Sequence, residues 1–312
     1  MKKFFTLLLA VISTMTAFAQ TEPAIELQAE VDGNTRTLTI GLGVEGTVQI
    51  DWGNGEKVSS EVIPAYDDYN QVNIYGTVSG DGKVKIYGDN IVYFECSSRV
   101  DGAQVLSLDV TKATTLKDLT ANTNKLTSID LTKNTELTKL TINNNQLTNI
   151  DISKCTKLTT LDISNNLLTA IDITKNQALL TLRIGQNKLA GELDLSTNPT
   201  IKLVYAQTNE LTSVKIGNNT ASKPTFSFNE NKLTSFDATG IKDAGNATLF
   251  LISNQLTEIT LPSTKMKSIN ISKNNFTLAT LPAPSVAKFF TYAPQNDYVI
   301  AESYKVGDVL DL

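Results

Sequence analysis

Leu137-Thr138-Lys139-Leu140-Thr141-Ile142-Asn143-Asn144-Asn145-Gln146-Leu147 is followed, 21 residues on, by Leu158-Thr159-Thr160-Leu161-Asp162-Ile163-Ser164-Asn165-Asn166-Leu167-Leu168. The shared frame is Leu-x-x-Leu-x-Ile-x-x-Asn-x-Leu, and it extends in both directions. Upstream it reads Leu116-x-x-Leu119-x-Ala121-x-x-Asn124-x-Leu126. Downstream it reads Leu179-x-x-Leu182-x-Ile184-x-x-Asn187-x-Leu189, then Ile201-x-x-Val204-x-Ala206-x-x-Asn209-x-Leu211. Three looser copies place Phe226 and Phe228, Leu249 and Leu251, and Ile269 and Ile271 at the paired apolar positions. The asparagines at 124, 145, 166, 187, 209, 231, 254 and 274 are spaced by 21, 21, 21, 22, 22, 23 and 20 residues.

Each letter has a physical reading. The apolar pairs alternate with polar neighbours, which is the period of a short strand with one face inward. One such strand cannot bury that face alone, so copies must stack into a parallel sheet over a continuous core. The asparagine falls where the strand turns, where its amide can satisfy buried backbone groups; it reads as scaffold. The second half of each unit, Leu126-Thr127-x-Ile129-Asp130-Leu131 and its copies at 147–152 and 168–173, also alternates. A 21-residue unit leaves little room for a helix, so the return side should be extended or built of short turns.

This pattern resembles the leucine-rich repeat family. The 21-residue form is most similar to the bacterial internalins, especially the internalin J type, and to exported proteins of Bacteroides-type bacteria. The resemblance covers about residues 91–284 and implies a mostly-β solenoid, with adhesion or contact with a host protein as its function. The J type often carries cysteine at the inner strand position. Here Ala121, Ile142, Ile163, Ile184, Ala206, Phe228, Leu251 and Ile271 occupy it. Ile91-x-x-Phe94-x-Cys96 looks like an irregular opening repeat that resumes at Leu106-x-Leu108-Asp109-Val110. Cys155 falls at the end of a repeat, where neighbouring units carry Asn134 and Asn176, so the two cysteines should lie too far apart for a disulfide.

The flanks differ. Residues 1–19 carry Lys2 and Lys3, an apolar run from Phe4 to Ile12 and a small-x-small site at Ala17-Phe18-Ala19. This reads as a secretory signal peptide cleaved after Ala19, too short to span a bilayer. Residues 20–90 alternate as strands around Ile25-Glu26-Leu27, Leu38-Thr39-Ile40, Val48-Gln49-Ile50, Val72-Asn73-Ile74 and Val84-Lys85-Ile86, with turn signals at Asp32-Gly33-Asn34 and Gly80-Asp81-Gly82. A β-sandwich-like module covering the open first coil is expected. Ile50-Asp51-Trp52-Gly53-Asn54-Gly55 is similar to the strand–turn of polycystic-kidney-disease-type sandwiches, although Asn54 departs from the usual Asp. Trp52 reads as core, and Asp51, Asp67 and Asp68 as solvated turn residues more readily than a calcium loop. Residues 285–312 hold strand-like Phe289-Phe290-Thr291-Tyr292 and Tyr298-Val299-Ile300. They are expected to form a C-terminal cap, or the start of a further β module cut short at Val309-Leu310-Asp311-Leu312. No sorting motif of the LPxTG kind is present.

Composition narrows function. The 312 residues hold 41 threonines and 28 asparagines, mean hydropathy is −0.09, and histidine is absent. No His-based triad, zinc site or pH switch is available, and two cysteines cannot make an all-cysteine zinc site. Without Lys2 and Lys3 the net charge falls from −5 to −7. A mildly acidic chain is a poor partner for nucleic acid. No nucleophile–base pair, metal cluster or phosphate loop is visible. The expectation is a non-enzyme without metal or cofactor, secreted or held at the cell surface, with no membrane span after cleavage.

The outward strand positions carry the binding candidates. Repeats one to three present only polar residues there. Later repeats present Arg183, Leu203, Tyr205, Phe250 and Ile252. Strands lie about 4.8 Å apart, so Arg183 and Phe250 would be roughly 14 Å apart, within one patch of anchor-type residues. Alternatively, Phe250 and Leu203 are register slips or packed under a loop. An extracellular or host protein is the first candidate partner. A glycan stacking on Tyr205, Phe250 and Tyr93 is the second, and a structural spacer with no ligand is the third.

Overall fold

The computed structural model describes residues 22–31, 36–44, 47–59, 72–98 and 102–296. The leader at 1–19, the turn at Asp32-Gly33-Asn34, the carboxylates Asp67 and Asp68, and the segments Tyr298–Ile300 and Val309–Leu312 lie outside them.

The architecture is mostly β, a leucine-rich-repeat solenoid with two short 3-10 turns, Ala244–Asn246 and Pro284–Val286, among the described residues. Ten parallel strands form its concave sheet: Ile91–Glu95, Asp118–Thr120, Lys139–Thr141, Thr160–Asp162, Thr181–Arg183, Leu203–Tyr205, Thr225–Ser227, Thr248–Phe250, Met266–Asn270 and Ala287–Thr291. Their register is unbroken. Leu119, Leu140, Leu161, Leu182, Val204, Phe226, Leu249 and Ile269 pair in sequence and are all buried. The strand Ala287–Thr291 carries the sheet past residue 284, pairing Ile269 with Phe290.

The asparagine amides lock coil to coil. Asn145 Oδ1 accepts from the Leu126 N–H (3.0 Å). Its Nδ2 donates to Ala121 O in the preceding coil (2.9 Å) and to Ile142 O in its own (3.1 Å). Asn166, Asn187, Asn209, Asn231, Asn254 and Asn274 repeat this set. Gln295, 21 residues beyond Asn274, closes the ladder: its Oε1 accepts from Asn274 N–H and its Nε2 donates to Ile271 O. The turn that aims each amide needs left-handed backbone. Thr123, Asn144, Asn165, Gln186, Thr208, Glu230, Ser253 and Lys273, each immediately before a ladder residue, have φ between 52° and 57°. That conformation costs about 1 kcal/mol or more for a residue with a side chain.

A second ladder runs along the return side. Asn134 Nδ2 donates to Val110 O and Ala113 O (both 2.9 Å). Asn176 Nδ2 donates to Ile152 O and Cys155 O (3.0 and 2.9 Å), and Asn198 and Asn219 reach Asn176 O and Ile201 O (both 2.8 Å). Cys155 takes one rung, with Sγ 3.8 Å from Leu131 O and 3.6 Å from Asn134 O. The Oδ1 atoms of Asn134, Asn176 and Asn219 find no partner among the described residues. A thiol meets the same carbonyls weakly without bringing such an oxygen, which explains why cysteine fits there. Cys96 and Cys155 are both buried and free. Burial, with Asp151 adding repulsion, raises the Cys155 thiol to about 11, and burial raises Cys96 further.

The N-terminal strands fuse to the solenoid. Arg36–Val44 runs antiparallel to Ile91–Glu95, and Val72–Val78 antiparallel to Arg36–Val44, so the concave sheet has twelve strands. On the other face, Ile25–Ala29 pairs with Val105–Asp109, the return segment of the opening coil, in a five-stranded sheet with Lys83–Tyr87, Gln49–Asp51 and Lys57–Ser59. One apolar cluster runs from Ala24 through the repeats to Ala287. Trp52 packs flat on Gly76, where a Cβ would come 2.0 Å from the Trp52 ring, and is half buried against the core. Asp51 Oδ1 caps its turn by accepting from the Gly53 and Gly55 N–H groups (2.9 and 3.0 Å).

The return side is extended where it forms two parallel pairs, Ala190–Asp194 with Glu210–Lys215 and Ser235–Asp237 with Glu258–Thr260. Apart from these and the opening coil's Val105–Asp109, the described return segments are mostly tight turns. Asp130, Asp151 and Asp172 each accept from the backbone N–H two residues on, at Thr132, Ser153 and Thr174 (2.9, 2.9 and 2.8 Å). For Asp130 the Thr132 hydroxyl is the larger cause of a pKa held below the ordinary 3.8; for Asp151 and Asp172 it is the backbone bond. Repulsion from Asp151 opposes the shift at Asp130 and Asp172.

Two outcomes follow from this bonding. Asn166→Ala removes the acceptor for Leu147 N–H and the donors to Ile142 O and Ile163 O. Stranding these buried groups should cost roughly 2–4 kcal/mol, read as a lower urea midpoint, whereas Thr141→Ala on the open face should cost less than about 0.5 kcal/mol. The three return-side carboxylates are held below their unfolded value. Their turns therefore contribute stability above that value, and lose it as pH falls through the folded pKa, below about pH 4. Combined Asp130→Asn, Asp151→Asn and Asp172→Asn keep the acceptor oxygens. Tm should be slightly lower than the parent's at pH 7, where the charge-dependent part of these bonds is lost, and less acid-sensitive, by calorimetry across pH 2–7.

Candidate functional site

The concave face is set by the register of the core. Because Leu182, Val204, Phe226, Leu249 and Ile269 point inward, the residues after them point out. The outward row reads Thr120, Thr141, Asp162, Arg183, Tyr205, Ser227, Phe250 and Asn270, each paired with the next. Phe250 sits in this row between Ser227 and Asn270, flanked by the fully buried Leu249 and Leu251. It is therefore in register.

The five candidates lie on or just beyond three of four consecutive strands, Thr181–Arg183, Leu203–Tyr205 and Thr248–Phe250. Arg183 lies beside Tyr205, its guanidinium carbon 5.5 Å from the ring centroid, within cation–π range. Leu203 starts the strand that Tyr205 ends. Phe250 is two strands beyond Tyr205, and Ser227 between them is only 6% exposed. Ile252 follows Phe250, and its N–H donates to Asn229 Oδ1 (2.9 Å). Arg183 is exposed; Leu203, Tyr205, Phe250 and Ile252 are half buried. Leu180, 46% exposed at the edge where the strands begin, adds apolar surface the outward rows alone did not reveal. Gly185 leaves room for the Gln207 amide, which would lie 2.8 Å from a Cβ there.

Tyr93 does not join them. It is 2% exposed and its hydroxyl donates to Glu95 Oε2, so it cannot stack on a sugar. The Tyr93 ring instead fills the space over Gly41, 3.0 Å from where a Cβ would be.

Several polar groups of the face are engaged with one another, while Gln207 Oε1 is buried without a partner among the described residues. Asp162 Oδ1 accepts from the Ser164 hydroxyl (2.6 Å), and Asn270 Oδ1 from the Ser272 hydroxyl (2.8 Å). Asn229 Nδ2 donates to Ser227 Oγ (3.3 Å), and Asn122 Oδ1 accepts from Asn143 N–H (3.2 Å). Lys139 is paired with Asp118 at 3.0 Å. Arg183 has no carboxylate partner among the described residues. No group of three or more potential metal ligands occurs among them, and none of their helices is long and apolar enough to cross a membrane.

Comparisons with known proteins bear on the coils. Three solved structures similar in fold are the leucine-rich repeat domain of APL1B (21% identity over 59% of this chain and 56% of that one, TM-score 0.48), a leucine-rich-repeat protein of Leptospira interrogans (17%, 60% and 62%, TM-score 0.41), and the functional domain of InlJ from Listeria monocytogenes, described as including a cysteine ladder (20%, 66% and 63%, TM-score 0.29). The chain thus spans less than two thirds of the length of each. No curated protein matches it. Residues 135–176 match the family described as Leucine Rich repeats (2 copies), and those residues are the two coils whose spacing and asparagine bonds the remaining coils repeat.

Proposed function

We propose that the chain is an exported, non-catalytic binding protein of bacterial origin, acting at the cell surface or after release, and that it holds a protein partner on the concave sheet between Arg183 and Ile252. The observation that carries this reading is the in-register strip in which Arg183 lies over Tyr205 and the small Ser227 separates Tyr205 from Phe250. Aromatic and arginine side chains are the usual anchors of protein interfaces. A solenoid of rigid coils presents them at almost no ordering cost. The leucine-rich-repeat coils themselves support an interaction scaffold.

Export rests on the leader-like residues 1–19 and adhesion on the internalin resemblance. A glycan is the weaker partner. Tyr93, one of the three rings a sugar could stack on, is buried, and Asp162, Asn229 and Asn270 are engaged with neighbouring hydroxyls. A spacer without a ligand does not account for apolar anchors gathered on one open strip.

The test is to screen the chain against extracellular proteins and a glycan array beside the combined Arg183→Ala, Tyr205→Ala and Phe250→Ala variant. The expected outcome is a protein ligand whose affinity falls at least about 100-fold in the variant, as loss of hot-spot anchors would give, with unchanged melting. A ligand retained by the variant would move the site off this strip.

A further inference from the structure

Charge divides the concave sheet into two unlike halves. In the coils running from Val92 to Ser164, the strand residues and the residue just before each strand carry Glu95, Asp118 and Asp162 against Lys117 and Lys139. From Leu180 to Ala293 the same positions carry Arg183, Lys202, Lys265, Lys267 and Lys288, and no carboxylate. This occurs in a chain of net charge −5. None of these cations is ion-paired among the described residues; in the other half of the sheet Lys139 is paired with Asp118 at 3.0 Å and Lys117 is not paired. Lys288 lies over the Phe289 ring instead. Asp162, opposite Arg183 in the register, makes no ion pair with it and accepts from the Ser164 hydroxyl (2.6 Å), and Glu230 at the other strand edge is engaged by the Thr208 hydroxyl (2.9 Å).

The cations border the apolar strip. Lys202 precedes Leu203 in the chain, Arg183 covers Tyr205, and Lys267 and Lys288 lie along the strand-start edge beyond Phe250. Six strands make up this half, so its ends lie roughly 24 Å apart at about 4.8 Å per step, a span an extended segment of about seven residues covers at 3.4 Å each. Unpaired cations next to half-buried rings favour a ligand that offers carboxylates and apolar side chains together. They disfavour a neutral or basic one through unbalanced charge.

We infer that the partner lays an acidic protein segment, with Asp or Glu beside aromatic or aliphatic residues, across the coils from Arg183 to Phe289. This inference rests on the concave-binding reading and specifies its partner.

A random dodecapeptide display library panned on the full chain tests both. The account expects selected peptides rich in Asp and Glu next to Leu, Phe, Tyr or Trp. Affinity for a synthesised selected peptide should fall at least tenfold when its acids become Asn and Gln. It should fall as much in the Arg183→Ala/Lys202→Ala/Lys267→Ala/Lys288→Ala variant, in the Tyr205→Ala/Phe250→Ala variant, and with added salt. Neutral or basic peptides lost in the Tyr205/Phe250 variant but indifferent to the cation variant would overturn the acidic assignment and leave the concave reading standing. Peptides indifferent to both variants, or none enriched, would overturn both. Acidic peptides displaced by heparin and indifferent to the Tyr205/Phe250 variant would reduce the site to a polyanion surface and overturn the inference.

Discussion

The interaction on which this molecule depends is the triple hydrogen bond of one buried amide. A 21-residue coil cannot pair all of its own backbone, because the strand ends after a few residues and the chain must turn inside the protein. The Asn side chain carries an acceptor and two donors on one plane, and at Asn145, Asn166 and their counterparts it uses them on one N–H and two carbonyls of adjacent coils. Gln has the same groups one methylene further out, which lets Gln295 end the series. Aspartate would lack the donors. The turn before each amide accepts a left-handed residue as the cost of aiming it, at Thr123 as at Lys273.

Once the coils are locked, the rest follows from register. A fixed step of about 4.8 Å places the outward residue of every coil beside that of the next, so a sequence change in one repeat becomes a neighbour relation on the surface. Arg183 lies against Tyr205 because Leu182 lies against Val204. The N-terminal strands obey the same constraint. By extending the concave sheet through Arg36–Val44 and closing the other face through Ile25–Ala29, they cover an apolar end the first coil would otherwise expose.

Much of this is legible in the sequence because period and chemistry coincide. Leu119, Leu140 and Leu161 announce strands, Asn124, Asn145 and Asn166 announce turns, and a 21-residue spacing announces the stack. The outward row follows from the repeat frame alone, and Phe250 stands in it as expected. Other features carry a weaker signal. Cys155 hides the second ladder, although Asn134, Asn176, Asn198 and Asn219 keep the repeat spacing on either side of it. The last coil is obscured because Phe290, Tyr292 and Gln295 replace the usual Leu, Ile and Asn. Tyr93 looks like an outward aromatic, but Gly41 on the neighbouring antiparallel strand lets its ring sink into the surface, a contact between distant segments that periodicity does not reveal. The cation row at Lys202, Lys267 and Lys288 emerges only when strand-start residues of separate coils are brought side by side.

The most direct measurement is amide hydrogen exchange at Leu126, Leu147, Leu168, Leu189, Leu211 and Leu233, whose N–H groups donate to ladder amides. If the ladder holds the stack, these hydrogens exchange only when whole coils unfold, with protection equal to that of the core strands. Exchange as fast as that of the exposed return-side turns would show that the coils are held by apolar packing alone, and would contradict the account.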